Sequence, residues 1–296
     1  CGMNYDKFSH KKIADFDAVG LYSSSMKRMD GFLMGKPSVI KSTDDWKNAD
    51  GYFVEIKIND IKKHRKFPMM SFIDRKKGTR NFTDKLDNYI DQTIVVDKIM
   101  LKLWEKFHDV KYEFIRGYMF NDGHNNNINT VINDIFNNRL FAKNETILHD
   151  GTKKEWTVQE CLDEVPKAWV KKNKDTVKSF KNPIQEIWKL TMNSGYGKSL
   201  TRPHDTKDIY KNEDQYLEHI GILSTSKLIM AEVMFMAEDN NIKMYITDTD
   251  SIHMNLEDVE PLGELFKEEY KRDLIGCNLG QFHTDFEMDN CDNVYS

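Results

Sequence analysis

The chain has little of what would make it a covalently stapled scaffold. Four cysteines, Cys1, Cys161, Cys277 and Cys291, are scattered along 296 residues with no CxxC pair. That spacing speaks against a structural zinc and supports no disulfide framework. No apolar run is read as approaching the roughly 20 residues of a membrane span, and no signal peptide opens the sequence. Internal repeats and low-complexity tracts are missing too. An excess of positive charge is also lacking, because 43 Lys and Arg stand against 48 Asp and Glu, for a formal net charge of −5. Attraction of nucleic acid by the whole surface is thereby excluded; a local basic groove is not, since binding depends on where charge sits.

What is present suits a globular protein: 39% of residues are hydrophobic and 11% aromatic, enough for a sizeable core in one large domain or two modest ones. Lysine and arginine gather at 62–66, 75–80 and 167–189, whereas acids gather toward the C-terminal third. A basic groove facing an acidic metal centre gives this balance. Solvated helix faces give it as well, and are the plainer account of lysines such as Lys171, Lys178 and Lys181.

Residues 12–21 read as a strand and turn leading into a polar helix at 23–29. Alternation marks 51–58 as a strand, and 93–107 carries a helical period with Ile99, Leu103 and Phe107 on one face. The stretch 111–120 is β-rich, and 121–129 reads as a loop from its Asn and Gly content. Helices are expected at 129–141, at 158–180 and at 183–194, the last two parted at Asn182-Pro183. Another is expected at 224–239, with Ser224 as its cap. A short strand interrupted by acids covers 245–252. Helices and strands mix without a βαβ rhythm, so the fold class is α+β.

Three segments carry chemistry. In the first, 245–253, Asp248 and Asp250 stand one residue apart between apolar neighbours. On a strand they share one face, and a tight turn also converges them. Like charges so close repel unless a cation lies between, and magnesium takes carboxylate and phosphate oxygens; exposed turns hold the same DxD pattern. In the second, Asp15-Phe16-Asp17-Ala18-Val19-Gly20-Leu21-Tyr22, an acid at a strand end precedes small residues whose N–H groups can cradle a phosphate. In the third, Lys189, Asn193 and Tyr196 recur four and three apart, so one helix face presents a cation, an amide and an aromatic ring before Gly195-Tyr196-Gly197-Lys198. An amphipathic helix ending at a glycine cap reads the same way.

In order and spacing these segments resemble motifs A, B and C of family B DNA polymerases, within the protein-primed branch of phages, viruses and linear plasmids. The resemblance runs from Gly2 to about residue 285. It implies a polymerase palm, an antiparallel sheet with helices, carrying a helical fingers subdomain, with exonuclease and thumb absent. The implied boundaries are 1–150 for palm with a terminal-protein-region-like insertion, 151–200 for fingers, and 201–296 for the palm continuation. Carried over by position, Asp17, Asp248 and Asp250 are the catalytic metal ligands for two Mg²⁺ ions, with Mn²⁺ as substitute. Asp250 is the main motif C ligand and Asp248 the less direct one; Asp15 is an upstream neighbour. Tyr22, with Leu21 beside it, resembles the sugar-excluding gate, and Lys189, Asn193 and Tyr196 line the nucleotide. Gly197, Lys198 and Gly2 fall at DNA-contacting positions. Gly20 and Ser23 depart from the usual Ser and Pro of motif A, and Ile246 from the usual Tyr before DTDS; altered nucleotide fit with retained activity is expected.

The implied activity is template-directed addition of dNMP to a primer 3′-hydroxyl. Its partners would be primer–template DNA, dNTPs, a terminal-protein primer and other segments of the same polymerase, in the host cytoplasm and with no membrane. The alternative is a catalytically incomplete fragment that binds primer–template or partner segments.

Overall fold

Strand Ile13–Ala18 owes its place to alternation: Ala14, Phe16 and Ala18 are buried, and Ile13, Asp15 and Asp17 on the other face are half-buried. The computed structural model describes residues 12–67, 69–74, 79–82, 86–199 and 213–284, with backbone alone at 71–74, 79–82, 86–87, 198–199 and 213–219. This strand lies inside a four-stranded sheet in the order Met244–Asp248, Ser251–Asn255, Ile13–Ala18, Phe282–Thr284. Its pairings with Ser251–Asn255 and Phe282–Thr284 are antiparallel, as is the hairpin 244–255. A second four-stranded sheet orders Ser38–Val39, Val110–Phe120, Gly51–Ile61 and Thr93–Asp97.

Eight α-helices are found among the described residues: α1 Leu21–Arg28, α2 Lys98–His108, α3 Asn127–Lys143, α4 Val158–Leu162, α5 Val165–Lys172, α6 Ile184–Ser199, α7 Glu213–Asp239 and α8 Val259–Tyr270. The longest, α7, packs against α1, α2, α6 and α8. One apolar core joins both four-stranded sheets to α2, α7 and α8 through residues such as Phe16, Ile56, Leu103, Phe235, Phe266 and Phe282. Burying each such side chain stabilises the fold by roughly 1.5–3 kcal/mol before entropy is charged. A second cluster, around Met26, Phe136, Leu140, Met192 and Ile222, fastens α1, α3, α6 and α7 together.

Mixed helix and antiparallel sheet is the expected class, but several elements differ. Residues Thr93–Asp97 form a strand, and the helix begins only at Lys98. Asp97 makes that break by accepting a hydrogen bond from the Met100 N–H at 2.7 Å, an N-cap that ends the β-branched run. Residues Val177–Phe180 are a strand too, so the stretch expected as one helix is α4, α5 and a strand. Ser224 lies inside α7, where its hydroxyl donates to Asp97 instead of capping. Helix α6 continues through Gly195 and Gly197 to Ser199, so glycine does not end it there. Residues His124–Asn125 pair with Phe32–Leu33 where a loop was expected.

The expectation that no stretch could span a bilayer also needs correction. By length and composition Ile220–Asp239 could cross one, although most of it is buried inside the fold. Within it the Glu232 carboxylate accepts two hydrogen bonds from Arg28, at 2.7 and 2.6 Å, and one from Arg272 at 2.7 Å. A buried carboxylate paired to two arginines on other segments belongs to a protein core. The basic run at 62–66 is also partly structural. Arg65 is buried, donates to the Phe107 carbonyl and to both oxygens of Asp239, and lies over the Phe235 ring.

Packed edge-on against that same Phe235 ring, His108 places Nδ1 3.2 Å from the Lys63 carbonyl and leaves Nε2 without a partner. Burial pushes its pKa down to about 4. The unfolded chain therefore takes up this proton first, and stability falls as pH drops through the window from about 6.5 toward 4. The expected loss attributable to His108 is about 3 kcal/mol at most. Denaturant midpoints measured from pH 7 to pH 4.5 should show a shallower decline in His108→Phe than in the parent.

Candidate active site

The register of the first sheet sets the site. Asp17 pairs with Ser251 on one side and with His283 on the other, and Ser251 pairs in turn with Asp248. Directly paired residues share a face with Cβ atoms about 4.5–5.5 Å apart. Asp248, Ser251, Asp17 and His283 therefore form one row across four strands, on the face opposite the buried Phe16. Asp250 sits in the two-residue turn of the hairpin, and its carbonyl accepts the Ala18 N–H at 2.8 Å. Asp250 thus adjoins the end of the Asp17 strand. Asp248 lies one strand farther away, about 10 Å from Asp17 at the usual strand spacing. Asp250 is half-buried and Asp248 exposed.

Among the described residues no three His, Cys, Asp or Glu side chains already converge as a metal cage. The register contributes to this: Asp248 stands two strands from Asp17, and Asp250 adjoins the Asp17 strand through its backbone carbonyl. Asp15 points to the same face one row away, with its carboxylate 3.3 Å from His253 Nε2. That is near enough for an ion pair when the ring is protonated, but no hydrogen bond is aligned there.

Thr249, between the two motif C aspartates, has φ 41°. A β-branched residue in the left-handed region is strained, at a cost on the order of 1–3 kcal/mol. The same region suits Gly20, whose φ of 53° begins α1. The turn after Asp17 is then tied down from the far end of the chain. The Ser24 hydroxyl donates to the Val19 carbonyl at 2.6 Å and accepts the Gly280 N–H at 2.8 Å, and Val19 N–H donates to the Gln281 carbonyl at 2.9 Å.

Tyr22, exiting this turn on α1, stacks on Tyr196 of α6 with ring centroids 3.9 Å apart and planes 4° from parallel. Burial, and then the neighbouring Tyr22, pushes the Tyr196 pKa up to about 12. Leu21 is buried beneath. Lys189, Asn193 and Gly197 are exposed along α6; Lys189 stands seven residues, about 10 Å of helix, from Tyr196. The structure thus sets Asp250 beside the end of the Asp17 strand and Tyr22 against Tyr196, and leaves Lys189 and Asn193 on the open helix. Gly2 lies outside the described residues, and so does the Lys198 side chain.

Sequence reasoning passed over Ser24, His253, His283 and Glu232. A signal existed for Glu232, a lone acid in the apolar run 228–237, because such a charge must be paired when buried. A cavity of about 260 Å³ lies apart from the aspartate row, between the end of α1, the start of α2 and α7, and includes Met29, Tyr52, Lys98 and Thr225 in its lining.

Replacing Thr249 by glycine removes the strain but adds chain entropy to the unfolded state. Thr249→Gly should raise stability by about 1 kcal/mol, read as a higher denaturant midpoint at unchanged slope.

No family model matches the sequence, and no curated protein does. Solved structures do. Phi29 DNA polymerase in an orthorhombic crystal form is similar over 96% of this chain and 44% of its own, with 16% identity and a TM-score of 0.55. The same polymerase complexed with primer-template DNA and incoming nucleotide substrates is similar over 86% of this chain and 41% of its own, with 17% identity and a TM-score of 0.51. The chain spans less than half the length of those structures, and over that length it shares the fold of Phi29 DNA polymerase.

Proposed function

We propose that the chain is the palm-and-fingers core of a protein-primed family B DNA polymerase, adding dNMP to a primer 3′-hydroxyl. In this reading 1–150 and 201–296 form the palm and 151–200 the fingers. One observation carries it: the Asp250 carbonyl accepts the Ala18 N–H at the end of the Asp17 strand while Tyr22 from the turn that follows stacks on Tyr196. Three motifs distant in sequence are thereby assembled in one place, on a fold similar to that of a polymerase.

The donor set fits magnesium. Its acids offer oxygen alone, and Mg²⁺ is usually held by one or two carboxylates with substrate phosphates completing its shell. Asp17 and Asp250 would hold the ions, with Asp248 supporting from the next strand. When bound, the pair supplies a lowered pKa for the attacking hydroxyl and charge neutralisation at the leaving pyrophosphate. Lys189 would offset triphosphate charge as a mobile point charge. Tyr22, immobilised against Tyr196, would present a fixed wall to the sugar, which is how a ring excludes a 2′-hydroxyl. The Ala18 and Val19 N–H groups are engaged by the Asp250 and Gln281 carbonyls, so the N–H groups at the start of α1, in the turn that Ser24 ties down, would be the ones to meet phosphate oxygens.

The test is primer extension with Mg²⁺ by this chain alone and joined to flanking polymerase segments. Asp17→Asn and Asp250→Asn should each cut the rate by roughly 10³-fold, with a smaller loss for Asp248→Asn. Tyr22→Ala should admit ribonucleotides. Near-normal extension by either of the first two variants sinks the proposal.

A further inference from the structure

Residues 145–182 leave the body of the protein and return to the point of departure. Lys181 N–H donates to the Glu145 carbonyl at 3.1 Å, Asn182 N–H to the Ala142 carbonyl at 2.8 Å, and the Asn182 side chain to the Glu145 carboxylate at 2.6 Å. Between these ends lie α4, α5 and a three-stranded sheet of Thr146–Leu148 flanked by Lys153–Lys154 and Val177–Phe180. This unit is built between α3 and α6, and the aspartate row does not include it.

Its charges are sorted. Four acids of the first half are engaged there, Glu145 with Lys153 and Asn182, Asp150 with Thr152, Glu160 in the capping box with Thr157, and Asp163 with Gln159. Glu164 lies 3.9 Å from Lys167 Nζ. The second half carries Lys167, Lys171, Lys172, Lys174, Lys178 and Lys181 against Asp175 alone. All six lysines are exposed. Lys167 and Lys171, four residues apart, share one outward face of α5, and Lys174 lies in the turn just beyond its last residue, Lys172. Behind that face Trp169 stands edge-on to Trp156 with centroids 5.8 Å apart, both half-buried, with Lys154 over the two rings.

We infer that this outward face of 165–174 is a second nucleic-acid surface, which holds the phosphate backbone of a single strand outside the catalytic site. A row of exposed cations beside partly open tryptophan rings is the chemistry that tracks a strand without reading its sequence. The inference rests on the polymerase reading for its biological sense, not for its test. Cations in the last turn of α5 also complement the helix dipole. That role alone predicts lower stability for substitutions and no change in DNA affinity.

Binding of a fluorescent oligo-dT is measured against salt, with neither metal nor dNTP present. Each phosphate neutralised on a single strand contributes about 0.7 to the slope of log K against log salt. The triple variant Lys171→Gln, Lys172→Gln, Lys174→Gln should therefore lose a slope of about 2 and bind at least roughly tenfold more weakly at low salt. A control with Lys267→Gln on α8 and Lys271→Gln at its C-cap should match the parent. An unchanged slope in the triple variant, an equal loss in the control, or a parent chain that does not bind the strand overturns the inference. A lysine-dependent slope in a chain without extension activity would leave this surface standing while the polymerase reading fails. Extension without any slope change would do the reverse.

Discussion

The site depends on the register in which the strand Ile13–Ala18 lies between its two neighbours. Because side chains alternate, a slip of one residue would carry Asp17 to the core and Phe16 to the open face. The apolar face prevents that slip. Ala14, Phe16 and Ala18 are buried against a core shared with Ile252 and Phe282, and Phe16 pairs with Ile252 and Thr284 on its two sides. Placement of the carboxylates is thus enforced from behind, by hydrophobic burial, and needs no attraction between the acids themselves.

A second constraint acts on the turn that follows. Glu232 binds Arg28 at the end of α1 and Arg272 in the segment leading to Phe282–Thr284, whose arginine also reaches the Gly280 carbonyl at 3.3 Å. Gly280 then meets Ser24 at the start of α1. A single carboxylate on α7 therefore holds both ends of a short helix that bears Tyr22. Desolvating that charge is costly, and the return is a defined geometry between segments more than 200 residues apart, as the separation of Arg28 and Glu232 shows.

The aspartates, Tyr22, Lys189, Asn193 and Tyr196 could be named as candidates because short spacings single them out; the stacking of Tyr22 on Tyr196 and the separation of Lys189 and Asn193 from it could not. The strand at 13–18 and the helix at 127–143 were legible because their periods are clean. Thr93–Asp97 was not, since Val95 extends backward the four-residue spacing of Ile99, Leu103 and Phe107, and the break is made by Asp97, which caps Met100 and is held by Ser224 of α7. Ser224 misled for the same reason: hydroxyls favour caps, but here the hydroxyl found a buried partner on another element. Glycines at 195 and 197 looked like a stop, yet α6 runs on through both to Ser199. Pairings that rest on contacts across the chain, such as Asp17 with His283, leave no local trace in sequence.

The closure of residues 145–182 upon themselves has a consequence of its own. Where a chain departs and re-enters at one place, the entropy of joining the ends grows only slowly with the length between them. The body of the protein is therefore indifferent to how long that excursion is. New termini could be opened at its exposed turn near Gly151 while the old junction, stitched at Glu145 and Asn182, kept α3 and α6 aligned. The fold thus contains a ready point for circular permutation or for exchanging one appendage with another.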